Sequence, residues 1–440
     1  MSSSLIENTI DVTESRLFAC RCCGSRRLES VVDLGKSPLC ETYLSRRETL
    51  MAESFYPLHA FVCRDCWLVQ LDEFVSGREI FRDGYAYFSS YSDSWVAHAA
   101  RYCDAMIDRE GIASDARIIE VASNDGYLLQ HFVKRGYRVL GIEPADNCAA
   151  AAELKGVPTR VAYLDAATGQ EIANEWGQAS LVAANNVLAH VPDLHGFVAG
   201  LKHLLAADGL LTVEIQHLET LIRLRQFDTI YHEHFCYFSL HVLIDLFERH
   251  DLRVVDAELL PTHGGSLRVF VRHHDARKRV QDDEGRARID AILDSERDAG
   301  LVSLEGFRRF EREVQEAKWG LLEFLIAARR RGERVAGYGA PGKGNTLLNY
   351  CGIRTDLLEF VVDRNPYKQG RFLPGTHIPI HEPEMLRERR PDWVLILPWN
   401  LRDEIRDQLR SLVEAGTRLV VPIPEALVWQ GGDWKPWKEM

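Results

Sequence analysis

Short apolar runs alternate with segments of helical spacing through the middle of the chain. The runs that predict strands lie at 117–122, 138–143, 181–184 and 210–215. The segment 127–135 between the first two has apolar residues at Leu128, Leu129, Phe132 and Val133, which is the spacing of a helix. Repeated strand–helix–strand units predict an α/β fold with a parallel sheet that is covered on both faces. Ligands of such sheets bind at the carboxyl ends of the strands.

A second alternation of the same kind occupies the C-terminal part of the chain. Predicted strands lie at 334–338, 358–363, 393–397 and 419–421, with a helix over 344–350, and a short tail follows. Before them, residues 275–330 are highly charged and have helical spacing, and we interpret them as a solvated connector. The chain is therefore divided into residues 1–75, 76–270, 271–332 and 333–440.

Composition and charge narrow the class of protein. The chain has 440 residues, of which 46% are hydrophobic and 27% charged, so a packed globular protein is expected. The formal net charge of −12 disfavours sequence-independent binding to nucleic acid. No apolar run approaches the roughly 20 residues that cross a bilayer, and no secretory signal is visible at the N-terminus. We therefore expect no membrane partner and a cytoplasmic location, where thiols stay reduced.

Two Cys-x-x-Cys pairs lie near the N-terminus, Cys20 with Cys23 and Cys63 with Cys66. Two such pairs can place four thiolates at the corners of a tetrahedron, which suits Zn²⁺. Four thiolates leave no open coordination position, so the predicted zinc is structural. The alternative is two chance pairs of buried thiols, and Cys22 could compete with one of the ligands.

A polar turn follows the first predicted strand of the central domain. It consists of Ser123, Asn124, Asp125 and Gly126, residue types that suit a tight turn and the start of a helix. Glu143 ends the next strand, where a carboxylate can accept hydrogen bonds from a ribose diol. The spacing alone fits either a dinucleotide or an adenosyl cofactor.

The composition of this turn favours S-adenosylmethionine as the cofactor. The turn lacks the three glycines that let a pyrophosphate approach the backbone. The charge of Asp125 would repel phosphate, whereas it suits a cationic or amino-bearing ligand. Asn185, at the end of the third strand, is predicted to lie at the same site. The alternative is a polar turn without a ligand.

A titratable cluster lies within an aromatic stretch at Tyr231, His232, Glu233 and His234. Two histidines, a glutamate and a tyrosine can supply a general base and the group that orients it. By residue type alone, a structural cluster is as plausible as a catalytic one. His190 follows a strand end and is expected near the same cleft.

A glycine-rich turn spans residues 337–346. It nearly matches a phosphate-binding loop, but Gly344 stands where that loop has a hydroxyl. It also matches the glycine pattern of dinucleotide folds, with Asp363 at the end of the next strand. We interpret it as a cradle for a nucleotide diphosphate, with Lys343 and Asn345 as substrate-binding residues. A tight turn without a ligand is the alternative.

These segments together resemble one family, the S-adenosylmethionine-dependent sugar C-methyltransferases that act on nucleotide-linked deoxyketosugars. The resemblance covers nearly the whole chain. Besides the cysteine quartet, it rests on the segments 85–92, 123–126, 231–235, 263–268, 337–350, 363–366 and 374–379.

The resemblance implies three domains and a reaction. It implies an N-terminal zinc-binding domain, a central class I methyltransferase domain and a C-terminal Rossmann-like domain that binds the nucleotide sugar. The implied substrate is a dTDP-linked 4-keto-6-deoxysugar that is methylated at carbon 3. A base removes the proton beside the ketone, and the resulting enolate carbon attacks the methyl group of the cofactor.

The family pattern also implies residue roles. It makes His234 the base, while Tyr231, Glu233 and His190 position the base or the sugar. Tyr85 would donate toward the developing oxyanion or assist proton transfer. Because Ala122 stands where the family often has glycine, the methionine end of the cofactor site is expected to be reshaped.

Two other functions stay open at this point. The glycine turn with Asp363 would also suit an NAD-dependent nucleotide-sugar oxidoreductase. A non-catalytic, zinc-containing scaffold would retain the same fold. No obligate protein partner is evident.

Overall fold

The computed structural model describes residues 18–77, 88–277 and 283–439 of the chain. Within these ranges the strands form three sheets, one of four strands and two of seven. Tyr85, for which the sequence predicts a role in the reaction, lies outside the described residues.

The N-terminal sheet is antiparallel and includes a strand from the middle of the chain. Its strands, in spatial order, are β1 (Leu28–Ser37), β2 (Tyr56–Cys63), β3 (Val69–Leu71) and β9 (Cys236–Tyr237). Val69 pairs with Tyr237 and Gln70 with Cys236. The 231–235 cluster directly precedes β9, so this pairing attaches the cluster to the N-terminal unit.

The central sheet confirms the predicted α/β architecture. Its strands are β4 (Arg117–Val121), β5 (Arg138–Ile142), β6 (Thr159–Arg160), β7 (Ala179–Asn185), β8 (Leu205–Gln216), β10 (Leu252–Leu260) and β11 (Ser266–His273), in the spatial order β10-β11-β8-β7-β4-β5-β6. The strands from β8 to β6 are parallel. The order reverses between β4 and β7, so a ligand crevice is expected at the carboxyl ends of these two strands.

One strand departs from the parallel pattern. The strand β11 runs antiparallel to both of its neighbours, β10 and β8. A connection of only a few residues joins β10 to β11, and so short a connection permits an antiparallel pair but not a parallel one. The sequence analysis predicted neither strand.

The helices of the central domain are α1 (Asp93–Glu110), α2 (Leu129–Val133), α3 (Asp146–Leu154), α4 (Ala166–Trp176), α5 (Leu194–Leu204), α6 (Leu218–Arg223) and α7 (Leu240–Glu248). Single 3₁₀ turns in the described chain lie at Glu48–Leu50, Ser89–Tyr91, Leu188–His190, Phe227–Thr229, Thr262–Gly264, Trp399–Leu401 and Trp437–Glu439.

The third sheet repeats the doubly wound arrangement. Its strands are β12 (Val335–Tyr338), β13 (Val361–Val362), β14 (Ile380–His381), β15 (Trp393–Ile396), β16 (Arg418–Val421), β17 (Leu427–Gln430) and β18 (Asp433–Pro436), in the order β14-β13-β12-β15-β16-β17-β18. The first five strands are parallel, and β17 and β18 are antiparallel. Its helices are α10 (Gly342–Cys351), α11 (Met385–Arg389), α12 (Arg402–Gln408) and α13 (Arg410–Glu414). The predicted tail thus contributes two strands.

Two helices, α8 (Asp283–Asp298) and α9 (Leu304–Arg330), join the central and third sheets. The interpretation of this region as a solvated connector is wrong for one face of α9. Its apolar residues, spaced at helical intervals, are buried in one core with residues of the N-terminal and third sheets; they are Phe307, Phe310, Val314, Leu321 and Phe324. On α8, Glu296 is buried and accepts hydrogen bonds from the first backbone N–H groups of α7. Both helices therefore hold the domains together.

No helix among the described residues is long and apolar enough to cross a membrane.

The burial of α9 predicts an asymmetric response to two substitutions on this helix. Phe310 is 0% exposed and Trp319 is 50% exposed. Phe310→Ala should destabilise the protein by about 3–5 kcal/mol, because it leaves a cavity in the shared core. The matched control Trp319→Ala should change stability by no more than about 0.5 kcal/mol. Urea unfolding measures both, and equal effects would contradict the structural role of α9.

Candidate active site

The four predicted zinc ligands meet at one point. The sulfur atoms of Cys20, Cys23, Cys63 and Cys66 all lie within 4.8 Å of one another. The closest pairs, Cys20 with Cys66 and Cys23 with Cys63, are separated by 3.4 and 3.5 Å. A tetrahedral Zn²⁺ with Zn–S bonds of about 2.3 Å needs sulfur separations of about 3.8 Å. The cluster therefore fits a zinc ion with four thiolate ligands.

Cys22 lies next to this cluster and also contacts the central domain. Its sulfur lies 3.8 Å from the Asp245 carboxylate on α7, and its backbone carbonyl accepts a hydrogen bond of 2.9 Å from His195 Nε2. These contacts give Cys22 a structural place between the N-terminal unit and the central domain. Its sulfur is not among the four that lie within 4.8 Å of one another.

The turn after β4 has the conformation that its residue types predicted. Asn124 and Gly126 have φ angles of 47° and 74°, and Ala122 has a φ of 55°. A Cβ at Gly126 would lie 3.0 Å from a methyl group of Val157 and 3.2 Å from the Cβ of Ala152. Glycine is therefore required here, both for its backbone angle and for the close packing beside α3.

Glu143 stabilises the turn from the neighbouring strand end. Its two carboxylate oxygens accept hydrogen bonds of 2.9 Å from the backbone N–H groups of Asn124 and Ala145. Burial raises the pKa of Glu143, whereas these two bonds oppose the rise. Asn124 Oδ1 in turn accepts a hydrogen bond from Ser89 N, which attaches the 3₁₀ turn before α1 to the site.

Asp125 is paired with a lysine that the sequence analysis missed. Lys155 Nζ lies 2.8 Å from Asp125 Oδ2 and 2.8 Å from its backbone carbonyl oxygen. Ser90 Oγ also donates to Asp125 Oδ2 and lies 3.0 Å from the lysine ammonium. Asp125 is 2% exposed, so this pair offsets the cost of burying its charge. No local pattern around Lys155 signalled the pair.

Three polar atoms, in the turn after β4 and at the last residue of β7, have no hydrogen-bond partner among the described residues. They are Ser123 Oγ, Asp125 Oδ1 and Asn185 Oδ1, and all three are buried. Unpaired buried oxygens are costly unless a ligand satisfies them. Two of these atoms can only accept hydrogen bonds. They fit a ligand that carries an ammonium group and ribose hydroxyls, as S-adenosylmethionine does.

The structure brings together three of the predicted reaction residues. Tyr231 Oη lies 3.1 Å from His234 Nε2, and the ring centroids of His190 and His234 are 4.6 Å apart. Burial lowers the pKa of His234 well below its ordinary value, and the neighbouring His190 lowers it further. The His234 imidazole is therefore neutral at physiological pH, which is the form that accepts a proton.

Glu233 is oriented away from the histidine pair. Cys40 Sγ donates to its Oε1 at 3.6 Å, and its backbone carbonyl accepts a hydrogen bond of 2.8 Å from His190 Nδ1. Burial, together with the charge of Glu41, raises the pKa of Glu233 to about 8, although Lys368 opposes this shift. At neutral pH Glu233 is consequently a protonated acid. The sequence analysis did not identify Cys40, Glu41 or Lys368.

Residues of the N-terminal unit lie against the glycine-rich turn of the third domain. Tyr43 Oη and Lys368 Nζ donate to the Ala340 carbonyl at 2.6 and 2.9 Å, and Asp363 accepts from Ala340 N at 2.6 Å. Asn345 Nδ2 donates to the Cys40 carbonyl at 2.6 Å. A direct contact between substrate and Asn345, which is 1% exposed, would require this segment to move.

Lys343 lies where the third domain faces the central domain. Its ammonium is 4.2 Å from the Trp399 ring centroid and bonds to Asn400 Oδ1. Trp399 Nε1 donates to Asp228 Oδ2 at 2.7 Å. Burial lowers the pKa of Lys343 to about 8 and raises that of Asp228 to about 6. The positive charge of Lys343 is therefore not fully balanced by its neighbours, and its ammonium can bind an anion.

Three family models match successive parts of the chain. Residues 20–81 match the family described as "Putative zinc binding domain", residues 95–257 match "Methyltransferase domain", and residues 261–424 match "C-methyltransferase C-terminal domain". The first includes the cysteine cluster, and the second contains the turn after β4.

Solved methyltransferase structures show weaker likenesses. Magnesium protoporphyrin IX methyltransferase from Synechocystis PCC 6803 is 17% identical, over 44% of this chain and 88% of that chain, with a TM-score of 0.32. The 1,6-didemethyltoxoflavin-N1-methyltransferase of Burkholderia thailandensis is 17% identical, over 47% and 95% of the two chains, with a TM-score of 0.35. At these TM-scores the similarities give no further information about this chain.

The cysteine geometry predicts the metal content of two variants. The protein purified under reducing conditions should hold about one zinc ion per chain. Cys23→Ser should lose the metal and lower the melting temperature, because a structural zinc contributes directly to folding. Cys22→Ser is the matched control and should keep the zinc. Elemental analysis measures both, and zinc loss in the control alone would contradict the ligand assignment.

One relative spans almost the whole chain. The C-methyltransferase NovU of Streptomyces niveus is 39% identical over 409 residues, which cover 93% of this chain and 96% of the relative. Together with the three matched domains, this similarity confirms the resemblance and the predicted cofactors. The chain belongs to the C-methyltransferase family, and it is an S-adenosylmethionine-dependent methyltransferase with an N-terminal zinc-binding domain.

Proposed function

We propose that the protein methylates a carbon atom of a nucleotide-linked 4-keto-6-deoxysugar, with dTDP as the nucleotide and carbon 3 as the acceptor. The sequence resemblance supports this substrate class. The observation that carries the proposal is the hydrogen-bonded pair of Tyr231 and His234, with Oη and Nε2 3.1 Å apart. A buried neutral imidazole is able to take the proton beside a ketone.

His234 acts as the general base. A carbonyl acidifies the neighbouring C–H bond, so that a base can take its proton and leave an enolate. Because the pKa of His234 is lowered by burial and by His190, the ring is unprotonated at neutral pH and can accept a proton. The Tyr231 hydroxyl orients the ring. Such assistance typically accelerates a reaction by about 10²–10⁴-fold.

His190 and Glu233 position the base. A carbonyl oxygen can only accept a hydrogen bond, so His190 Nδ1 carries the proton in its 2.8 Å contact with the Glu233 carbonyl. This bond fixes the His190 ring against the edge of His234. Tyr85, by resemblance, donates toward the oxygen of the substrate.

S-adenosylmethionine, when bound, supplies an electrophilic methyl group. Ser123, Asn124, Asp125 and Gly126 would hold it, together with Glu143 and Asn185. The three unpaired oxygens described above would accept its ammonium and hydroxyl protons. Glu143 and Lys155 keep the turn in place and so preorganise the site.

Lys343 would bind the nucleotide diphosphate from the third domain. Asn345 supports this site indirectly, since its amide bonds to the Cys40 carbonyl. The alternative of an NAD-dependent oxidoreductase finds no support in this geometry. The backbone carbonyl and N–H of Ala340 are bonded to Tyr43, Lys368 and Asp363, so a diphosphate, whether of a dinucleotide or of the nucleotide sugar, would meet Lys343 and not these atoms.

Hydrogen exchange in the substrate tests the proposed base. Wild-type protein, given a dTDP-4-keto-6-deoxysugar in D₂O without S-adenosylmethionine, should exchange the proton on the acceptor carbon. His234→Gln should slow this exchange by about 10²–10⁴-fold. His232→Gln is the control, because His232 bonds to the Pro57 carbonyl and not to Tyr231. NMR locates the deuterium, and undiminished exchange in His234→Gln would refute the assignment.

Product analysis tests the substrate class. After incubation with S-adenosylmethionine and a panel of nucleotide-linked ketosugars, mass spectrometry and NMR should locate a new C–CH₃ group at carbon 3. Methylation of an oxygen or nitrogen atom would refute the proposal, and methylation at carbon 5 would refute the assigned position.

The pKa of His234 also predicts the pH dependence of the reaction. A free histidine titrates near pH 6.5, and the base form of His234 persists to a lower pH because its pKa is lowered. The acid limb of kcat/KM should therefore lie well below pH 6.5. A pH–rate profile measures this limb, and a limb at or above pH 6.5 would contradict a buried neutral base.

A further inference from the structure

The connection between β10 and β11 has an unusual backbone at the carboxyl edge of the central sheet. Three consecutive residues, His263, Gly264 and Gly265, have φ angles of 52°, 90° and 123°. Two of them are glycines, for which this region costs little. For His263 the left-handed region is unfavourable, and such strain is retained where the surroundings enforce it.

The surroundings hold the turn through polar bonds and close packing. Gln226 Nε2 donates to the Gly264 carbonyl at 2.7 Å, and Thr262 Oγ1 donates to Glu214 Oε1 at 2.9 Å. A Cβ at Gly264 would lie 2.7 Å from the ring of Trp399 in the third domain. The turn is therefore fixed to the central sheet and also packs against the third domain.

The side chain of His263 is anchored on one side only. Its ring centroid lies 4.4 Å from that of Trp95, in an edge contact, and the residue is exposed. Neither ring nitrogen of His263 has a hydrogen-bond partner among the described residues. Trp95 also stacks on Tyr127, which follows the cofactor turn, with centroids 5.7 Å apart. His263 thus lies beside the cofactor turn with its polar atoms available.

Neighbouring residues connect this turn to the predicted reaction residues. Trp399, which packs on Gly264, also contacts the Lys343 ammonium. Gln226, which holds the turn, precedes the segment that leads to His234. His263 is near enough to His234 to contribute to the lowering of its pKa. His263 therefore lies near both the base and Lys343 of the expected diphosphate site.

The environment keeps the His263 imidazole neutral. The protein packed around the ring desolvates it and so disfavours the imidazolium. The nearby charges of Lys343 and His98 disfavour it further. Glu214 acts in the other direction, and the pKa of His263 lies at about 4. A neutral imidazole carries one N–H donor and one acceptor. It can donate a hydrogen bond at physiological pH without adding a charge to the site.

We propose that His263 is a further catalytic residue, whose N–H donates a hydrogen bond to the carbonyl oxygen of the substrate. The inference rests on the proposed function. As the C–H bond breaks, its proton goes to His234 and its electron pair forms the C=C bond of the enolate. The carbonyl π pair moves to oxygen, where the His263 N–H stabilises the developing charge. No proton leaves His263. A donor that is positioned before the reaction lowers the barrier, because it needs no reorganisation.

The competing donors nearby are already engaged. Tyr231 bonds to His234, and His190 bonds to the Glu233 carbonyl, whereas the Lys343 ammonium is assigned to the diphosphate. The resemblance also implies Tyr85 as a donor, and His263 would be a further one. This arrangement gives the strained backbone of His263 a function.

Two substitutions separate the role of the ring from that of the backbone. His263→Gly removes the imidazole but suits a positive φ, so the fold should be retained with an unchanged or higher melting temperature. His263→Asn tolerates the same backbone and keeps an N–H donor. For His263→Gly, kcat should fall by about 10²–10³-fold. Exchange of the substrate C–H in D₂O should fall with it, while the dissociation constant of S-adenosylmethionine stays unchanged. His263→Asn should restore part of both rates.

The outcomes distinguish this inference from the proposed function. If wild-type protein exchanges and methylates the ketosugar while His263→Gly retains its kcat, only the role of His263 is refuted. A change confined to KM or to the melting temperature refutes it as well, since that is the effect of a structural residue. If wild-type protein neither exchanges nor methylates any 4-ketosugar in the panel, the proposed function is refuted and the role of His263 with it.

Discussion

The position of the reaction cluster depends on the backbone of one residue, Phe235. Its N–H donates to the Ala189 carbonyl at 2.7 Å, and its own carbonyl accepts from Leu71 N at 2.9 Å. The first bond reaches the chain that follows β7, and the second reaches the N-terminal sheet. The histidine next to it is therefore fixed relative to two domains at once. Because the Phe235 side chain is 1% exposed, water does not compete for these bonds.

Burial then determines the chemistry of the side chains around this point. A low-dielectric site disfavours charged forms, so it lowers the pKa of His234 and raises that of Glu233 to about 8. The base is thereby neutral and its neighbour is a protonated acid at the same pH. By contrast, Asp125 remains compatible with burial because Lys155 pairs with it. Burial thus gives the reaction cluster neutral side chains, whereas the cofactor turn contains a buried ion pair.

The three domains are joined by direct contacts between their side chains and backbones. The segment from Cys40 to Tyr43 bonds to Ala340 and Asn345 of the third domain, and Cys40 also bonds to Glu233. Trp399 packs on the turn that carries His263. A movement of the third domain would consequently change the contacts of the reaction cluster. The zinc cluster is also connected to the central domain, because Cys22, which lies between its ligands in sequence, contacts α7.

The sequence alone determined the parts of this protein that depend on local pattern. Hydrophobic periodicity predicted the parallel strands of both α/β domains except the two-residue strands β6 and β14, and the spacing of cysteines predicted the metal cluster, because such signals lie within a few residues. The turn from Ser123 to Gly126 was identifiable for the same reason.

Tertiary structure alone decided which distant residues meet. Lys155 with Asp125, Cys40 with Glu233 and β9 with the N-terminal sheet are separated by 30 residues or more in the chain. No local pattern encodes such pairs. The burial of α9 was missed because its charged face dominated the pattern, although its apolar stripe was visible. A pKa is likewise a property of the packed surroundings, so the neutral state of His234 and His263 became evident only in the folded chain.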